Sequence, residues 1–180
     1  MAHWQGFYDE LASSRYGALL SYAMVLTGQR ATAEDLVQEA LVRVFSAPRR
    51  LTSAAHAESY VRRSISSLYI DDARRAKLFD RTARRMGWVS EPVTYAPPEP
   101  TDELDAALRL LSPQVRTCVV LRYYEDLTAG QIAERLGLAE GTVKRYLHNA
   151  SAALRESFAL DGDPDGAEHV AVVSRRGRAG

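Results

Sequence analysis

The chain has 180 residues, 46% of them hydrophobic, enough for one domain or two small ones with real cores. Lys+Arg and Asp+Glu both number 23, so the chain is formally neutral and lacks the overall basic excess usual in a nucleic-acid binder. A single cysteine excludes an internal disulfide, no run reaches the roughly 20 apolar residues of a membrane helix, and the opening MAHWQGFYDEL is no signal peptide, so a soluble, cytosolic chain is expected.

Helical periodicity dominates from the start, and strand-like alternation is nearly absent. Residues 5–27 carry Phe7, Leu11, Leu19, Tyr22, Ala23 and Leu26 at helical spacing, and Gly28 breaks the pattern. Thr32 is placed to cap the next helix, with Asp35 three residues on, where an acid suits a helix start. That helix has a one-sided stripe of Leu36, Val37, Ala40, Leu41, Val44 and Phe45, and Pro48 is expected to end it. After a polar loop, Tyr60, Val61, Ile65, Leu68 and Tyr69 mark a third long helix with a strongly basic end.

The composition then changes. MGWVSEPVTYAPPEPTDE has four prolines and several acids, and reads as an extended linker of 86–102. LDAALRLL opens a second helical unit. Ser112 is a cap followed by Pro113 at the first helical position, and Cys118 in VRTCVVL reads as a core residue. Thr128 and Gln131 form a capping box that opens QIAERL. Gly137 makes a turn, and the last helix runs from about Gly141 to Phe158. The residues from 161 to 180 read as a disordered tail. The fold expected is all-α: two small helical domains, 1–85 and 103–160, joined by a flexible, proline-rich, acidic linker.

Charge is segregated along these units. Arg62 to Arg85 holds eight basic and three acidic residues, Val89 to Asp105 five acidic and no basic ones, and Gly141 to Arg155 three basic residues, a histidine and no acid. Neutrality is an average over opposite patches.

The stretch AERLGLAEGTVKRYL, residues 133–147, has the packing needs of a helix-turn-helix. Ala133 lets two helices cross closely, Gly137 permits a positive φ, and Val143 plugs the second helix onto the first. The second helix then offers Thr142, Lys144, Arg145, His148 and Asn149 to a major groove, where Arg or Lys can pair with guanine and Asn with adenine. A solvated packing helix is the plainer reading. In the first unit, Asp35, Gln38 and Glu39 lie opposite the apolar stripe and suit a basic partner, while YVRRSISSLYIDDARR is basic and aromatic, as a DNA-binding surface would be.

AEDLVQEALVRVF, YVRRSISSLYIDDARR and LTAGQIAERLGLAEGTVKRYL, in this order, resemble a bacterial sigma factor of the extracytoplasmic-function (ECF) group, over about residues 5–158. The resemblance implies only the second and fourth conserved sigma regions. Asp35, Gln38 and Glu39 would dock on the clamp of the β′ subunit of core RNA polymerase, with the β subunit a further contact. The loop from Arg49 to Glu58 and the helix from Tyr60 to Arg75, through Tyr60, Arg62, Arg63, Ser67, Asp71, Arg74 and Arg75, would capture and unwind the −10 element. The linker would run towards the RNA exit path. Arg122, Thr142, Lys144, Arg145, His148 and Asn149 would meet the −35 element. An anti-sigma factor is a further partner the resemblance suggests. The family often has Asn where this chain has Ser67, and Arg where it has Asn149 and Ser151.

The residues argue against an enzyme and name no cofactor or metal. The histidines, His3, His56, His148 and His169, are scattered, and adjacent Asp71 and Asp72 point apart on a helix. The alternative function is a stand-alone helix-turn-helix transcriptional regulator. A helical adaptor that binds only protein would show no salt-dependent DNA affinity.

Overall fold

The computed structural model describes residues 4–46, 51–86 and 103–161, and all regular structure among them is helical. The first unit holds α1 (Trp4–Glu10), α2 (Tyr16–Thr27), α3 (Arg30–Phe45) and α4 (Ala54–Arg85). The second holds α5 (Glu103–Leu110), α6 (Pro113–Tyr123), α7 (Ala129–Leu136) and α8 (Glu140–Asp161). No described helix is long and apolar enough to cross a membrane.

The helical stretch expected over 5–27 is interrupted by a wider π-helical turn, Leu11–Arg15, within which Leu11 stays buried. Gly28 ends α2 with φ 67°, the left-handed conformation that glycine adopts without a Cβ penalty. Thr32 does not cap α3. The helix begins at Arg30 after extended Gln29, and Thr32 lies inside the first turn, its hydroxyl donating to the Gln29 side chain at 3.3 Å. The stripe of α3 does what its spacing requires: Leu36, Val37, Ala40, Leu41 and Val44 are buried against α2 and α4. Helix α3 stops at Phe45, and Pro48 lies outside the described residues.

Helix α4 starts within what reads as a loop. The Ser53 hydroxyl accepts the His56 N–H at 3.1 Å, an N-cap that sets the start at Ala54. From there α4 runs 32 residues. Its first half buries Ala57, Val61, Ile65 and Leu68, whereas from Arg74 to Phe79 every residue is exposed. The linker residues 87–102 and those beyond 161 lie outside the described residues.

In the second unit, Pro113 occupies the first turn of α6 and Ser112 the N-cap position, but the Ser112 side chain makes no capping bond. The capping box of Thr128 and Gln131 is formed on both sides, and Gly137 ends α7 with φ 64°. Ile132, Val143, Leu121 and Cys118 are fully buried together. Burial pushes the Cys118 thiol up to about 11, as befits a neutral core residue.

The two units touch. Val120 of α6 joins the core of the first unit, and Val25 of α2 packs on the cluster of Leu108, Leu111, Val119 and Ala150 in the second.

Candidate nucleic-acid and polymerase interface

Helix α3 presents its polar face to solvent. Asp35, Gln38 and Glu39 are all exposed, followed one turn on by Val42 and Arg43. Beside Gln38 a groove of about 870 Å³ opens between α1, the π-helical turn and α3, with Tyr8, Leu41, Val42 and Phe45 in its walls. Tyr8 meets Phe45 edge-on at 5.3 Å. The acidic face thus borders an apolar trough, a pairing suited to a protein partner.

The α4 residues are held differently. Tyr60 is half-buried and meets the His56 ring at 4.9 Å. Arg62 is turned towards the second unit. It donates to Glu58 at 2.5 Å, and its guanidinium carbon stands 5.3 Å from the Tyr124 ring. Glu58, itself buried, also takes Arg15 at 2.7 Å, so one carboxylate joins α4 to the π-helical turn. Arg63 is exposed and faces Leu127, Gln131 and Glu134 across a cleft. Ser67 and Asp71 are half-buried. Arg74 pairs with Asp71 at 3.6 Å and Arg75 with Asp72, each one turn away on exposed helix. The basic patch read from sequence is therefore partly neutralised along its own helix.

On α8, Val143 is fully buried and fixes the helix on α7, leaving Lys144, Arg145, His148 and Asn149 exposed. Thr142 is half-buried in the first turn. Lys144 reaches back to Glu140 at 2.7 Å, but both side chains remain more than half exposed, so water screens the pair. Arg122 lies apart on α6, where it donates to the Leu127 carbonyl at 3.0 Å and supports the loop before α7.

Sequence reasoning passed over the residues between the units. The clearest sign was Arg116, a cation inside the apolar run of α6. It is buried and donates to four carbonyls: Leu26 at 2.7 Å, Leu108 at 2.8 Å, Arg109 at 3.1 Å and Leu111 at 3.4 Å. Tyr22, fully buried, bonds to Ser66 and meets Tyr124 edge-on at 5.4 Å. Burial and the nearby Glu125 carboxylate hold its hydroxyl well above the usual tyrosine range.

Comparison with known proteins follows these two units. The family description "Sigma-70 region 2" matches residues 11–79, and "Sigma-70, region 4" matches residues 101–154. The chain is 35% identical over 156 residues to the ECF RNA polymerase sigma factor SigL of Mycobacterium tuberculosis, covering 84% of this chain and 86% of that one. It is 32% identical over 153 residues to the RNA polymerase sigma-E factor of Streptomyces coelicolor, covering 84% and 85%. The solved structure of the sigma factor RpoE in complex with the anti-sigma factor NepR, from Bartonella quintana, shares the fold, with a TM-score of 0.59 and 21% identity over 88% of this chain and 99% of that one. With a motif-bearing unit matching each of the two conserved regions and relatives aligned along most of their length, the chain belongs to the sigma-70 family, as an ECF-group RNA polymerase sigma factor.

Proposed function

We propose that this sigma factor docks on core RNA polymerase through Asp35, Gln38 and Glu39, and reads promoter DNA through α4 and α8. The observation that carries this reading is the separation of charge on rigid elements. An exposed acidic helix face beside an apolar trough lies on α3, and an exposed face of Lys144, Arg145, His148 and Asn149 lies on α8. An acidic face repels DNA and suits the basic clamp of the β′ subunit, whereas the α8 face suits major-groove edges and phosphates of the −35 element. Between them, Tyr60, Arg62, Arg63, Ser67, Asp71, Arg74 and Arg75 on α4 meet the −10 element, with Tyr60 offering a ring on which an unpaired base can stack. Region 2 occupies 1–85 and region 4 occupies 103–160.

The chain supplies no catalytic group. Its contribution is binding, placement and strand separation for the polymerase that does the chemistry, in the cytoplasm. An anti-sigma factor is a proposed partner by analogy with the structural neighbour.

Gel-shift titration with and without core enzyme tests the reading. Promoter DNA is expected to be retained specifically only with both proteins present. Tight, specific binding of an inverted repeat by the chain alone would contradict it and favour a stand-alone regulator.

A further inference from the structure

Helix α8 opens on an acid. Glu140 is its first residue, and no further acidic residue follows until Glu156. An acid at a helix start is favoured by the positive end of the macrodipole, and a helix-start role would need nothing more. The surroundings of Glu140 go beyond that role. Glu140, Lys144 and His148 stand four residues apart and are all exposed, so Glu140 heads the row of side chains that faces the proposed −35 element. The backbone beneath it is fixed. The Thr142 and Val143 N–H groups both donate to the Ala139 carbonyl, at 2.9 and 3.2 Å, and Val143 is fully buried. The side chain is placed as well. Its carboxylate pairs with Lys144 at 2.7 Å and lies against the first turn of α7, where a Cβ on Gly130 would stand 3.6 Å from Glu140 Oε2. Held on these two sides, the Glu140 side chain is still 53% exposed.

A carboxylate on a DNA-reading face carries a cost. Duplex DNA has one negative charge per about 1.7 Å of axis, so the acid is repelled by every sequence alike. Lys144 relieves little of this, because the pair is open to water and screened. The repulsion is offset only where the carboxylate gains a hydrogen bond. The donors a major groove presents are exocyclic amino groups, N4 of cytosine and N6 of adenine. Adenine sets its N7 acceptor beside N6, which brings acceptor against acceptor when the reading group is a carboxylate. Cytosine N4 has no such neighbour on its own base. The first turn of a recognition helix is also the part that meets base edges. A charge that penalises all sequences and is satisfied by one base pair gives discrimination rather than affinity.

We propose that Glu140 is a specificity-determining residue of the −35 interface: it accepts from cytosine N4 opposite the head of α8 and so selects a C·G pair there. This proposal rests on the promoter reading above. Lys144 and the first turn of α7 position the carboxylate, and Lys144 itself carries no base preference.

The test uses holoenzyme assembled with the full chain, on promoters randomised across the −35 element, with Glu140→Ala, Glu140→Gln and, as reference, Arg145→Ala. Wild type should prefer a C·G pair by about tenfold at one upstream position distinct from the one relaxed by Arg145→Ala. Glu140→Ala should erase that preference. It should also bind non-promoter duplex about threefold more tightly, with a salt slope steeper by about one, because Lys144 is released to a phosphate. Glu140→Gln should broaden the preference to A·T, since an amide offers adenine N7 a donor beside the acceptor it offers N6. Thermal unfolding by circular dichroism separates the plainer role: a helix-start acid would lower the midpoint when removed and leave base preference alone. Unchanged preference in both Glu140 variants, with Arg145→Ala still relaxing its own position, overturns the proposal while the promoter reading stands. Relaxation at a position where wild type selects A·T overturns it too. A wild type with no upstream base preference at all overturns the promoter reading and the proposal together.

Discussion

On α4, the side chains proposed to face promoter DNA are tied to neighbours: Arg62 to Glu58, Tyr60 against His56, Arg74 and Arg75 to aspartates one turn away. On α8, Lys144 makes a similar exposed pair with Glu140, but Arg145, His148 and Asn149 are exposed and the helix itself is held by fully buried Val143. The difference matches two tasks. Separating strands requires groups already placed where an unpaired base must land, because positioning lost to side-chain freedom is lost from the reaction. Reading a duplex requires a rigid helix with side chains free to reach base edges, so restraint belongs in the helix anchor.

The largest expected effect tests that anchor. Val143→Asp buries an unpaired carboxylate beneath α8 and should destabilise the second unit by more than about 3 kcal/mol, seen as an early thermal transition by circular dichroism. Core affinity should survive, because the proposed docking face lies on α3 of the first unit. Retention of a single wild-type transition would show that α8 is held by other contacts. Next, Arg145→Ala should cost about 1–3 kcal/mol at a guanine contact and relax preference at one upstream base pair, measured with holoenzyme on promoters randomised around the −35 element. Lys144→Ala should instead weaken all sequences alike and lower the salt slope by about one. If Arg145→Ala leaves output and base preference unchanged, the reading face is rotated, with Arg122 and His148 the next residues to test.

On the first unit, Glu58→Gln removes the carboxylate shared by Arg15 and Arg62. It should cost about 1–2 kcal/mol in urea unfolding and slow promoter opening while leaving −35 base preference untouched. An opening rate equal to wild type would mean that Arg62 needs no positioning. The smallest effect on stability is expected for exposed Asp35→Arg, within about 0.5 kcal/mol, together with roughly tenfold weaker competition for core polymerase. Unchanged competition would return the acidic face of α3 to ordinary solvated surface.

These two sites were unequally legible in the sequence. Near-neighbour chemistry was plain: the stripe of α3, the capping box of Thr128 and Gln131, the helix break at Gly28 and the left-handed turn at Gly137 each depend on residues within a few positions. Val143 as anchor and Lys144, Arg145, His148 and Asn149 as the outward face follow from helical spacing alone. Thr32 misled because a threonine before an acidic residue suits a cap, yet the backbone had already turned helical at Arg30. The start of α4 at Ala54 was missed because its cap, Ser53, follows a polar stretch with no apolar period. The docking of the two units depends on pairs distant in sequence, Arg116 with Leu26 and Arg109 with Gly28, which no local pattern reveals. Its one local trace was a charged residue in an apolar helix, which a buried carbonyl cluster can accommodate as readily as a solvent edge.

Start-site mapping in vitro, with core polymerase and genomic fragments, tests the central claim most directly. Transcripts should appear only when core enzyme and this chain are both present, from start sites that share paired −10 and −35 elements, and Arg145→Ala should shift usage by upstream sequence alone. Core enzyme that initiates at the same sites and rates with or without the chain would contradict the account.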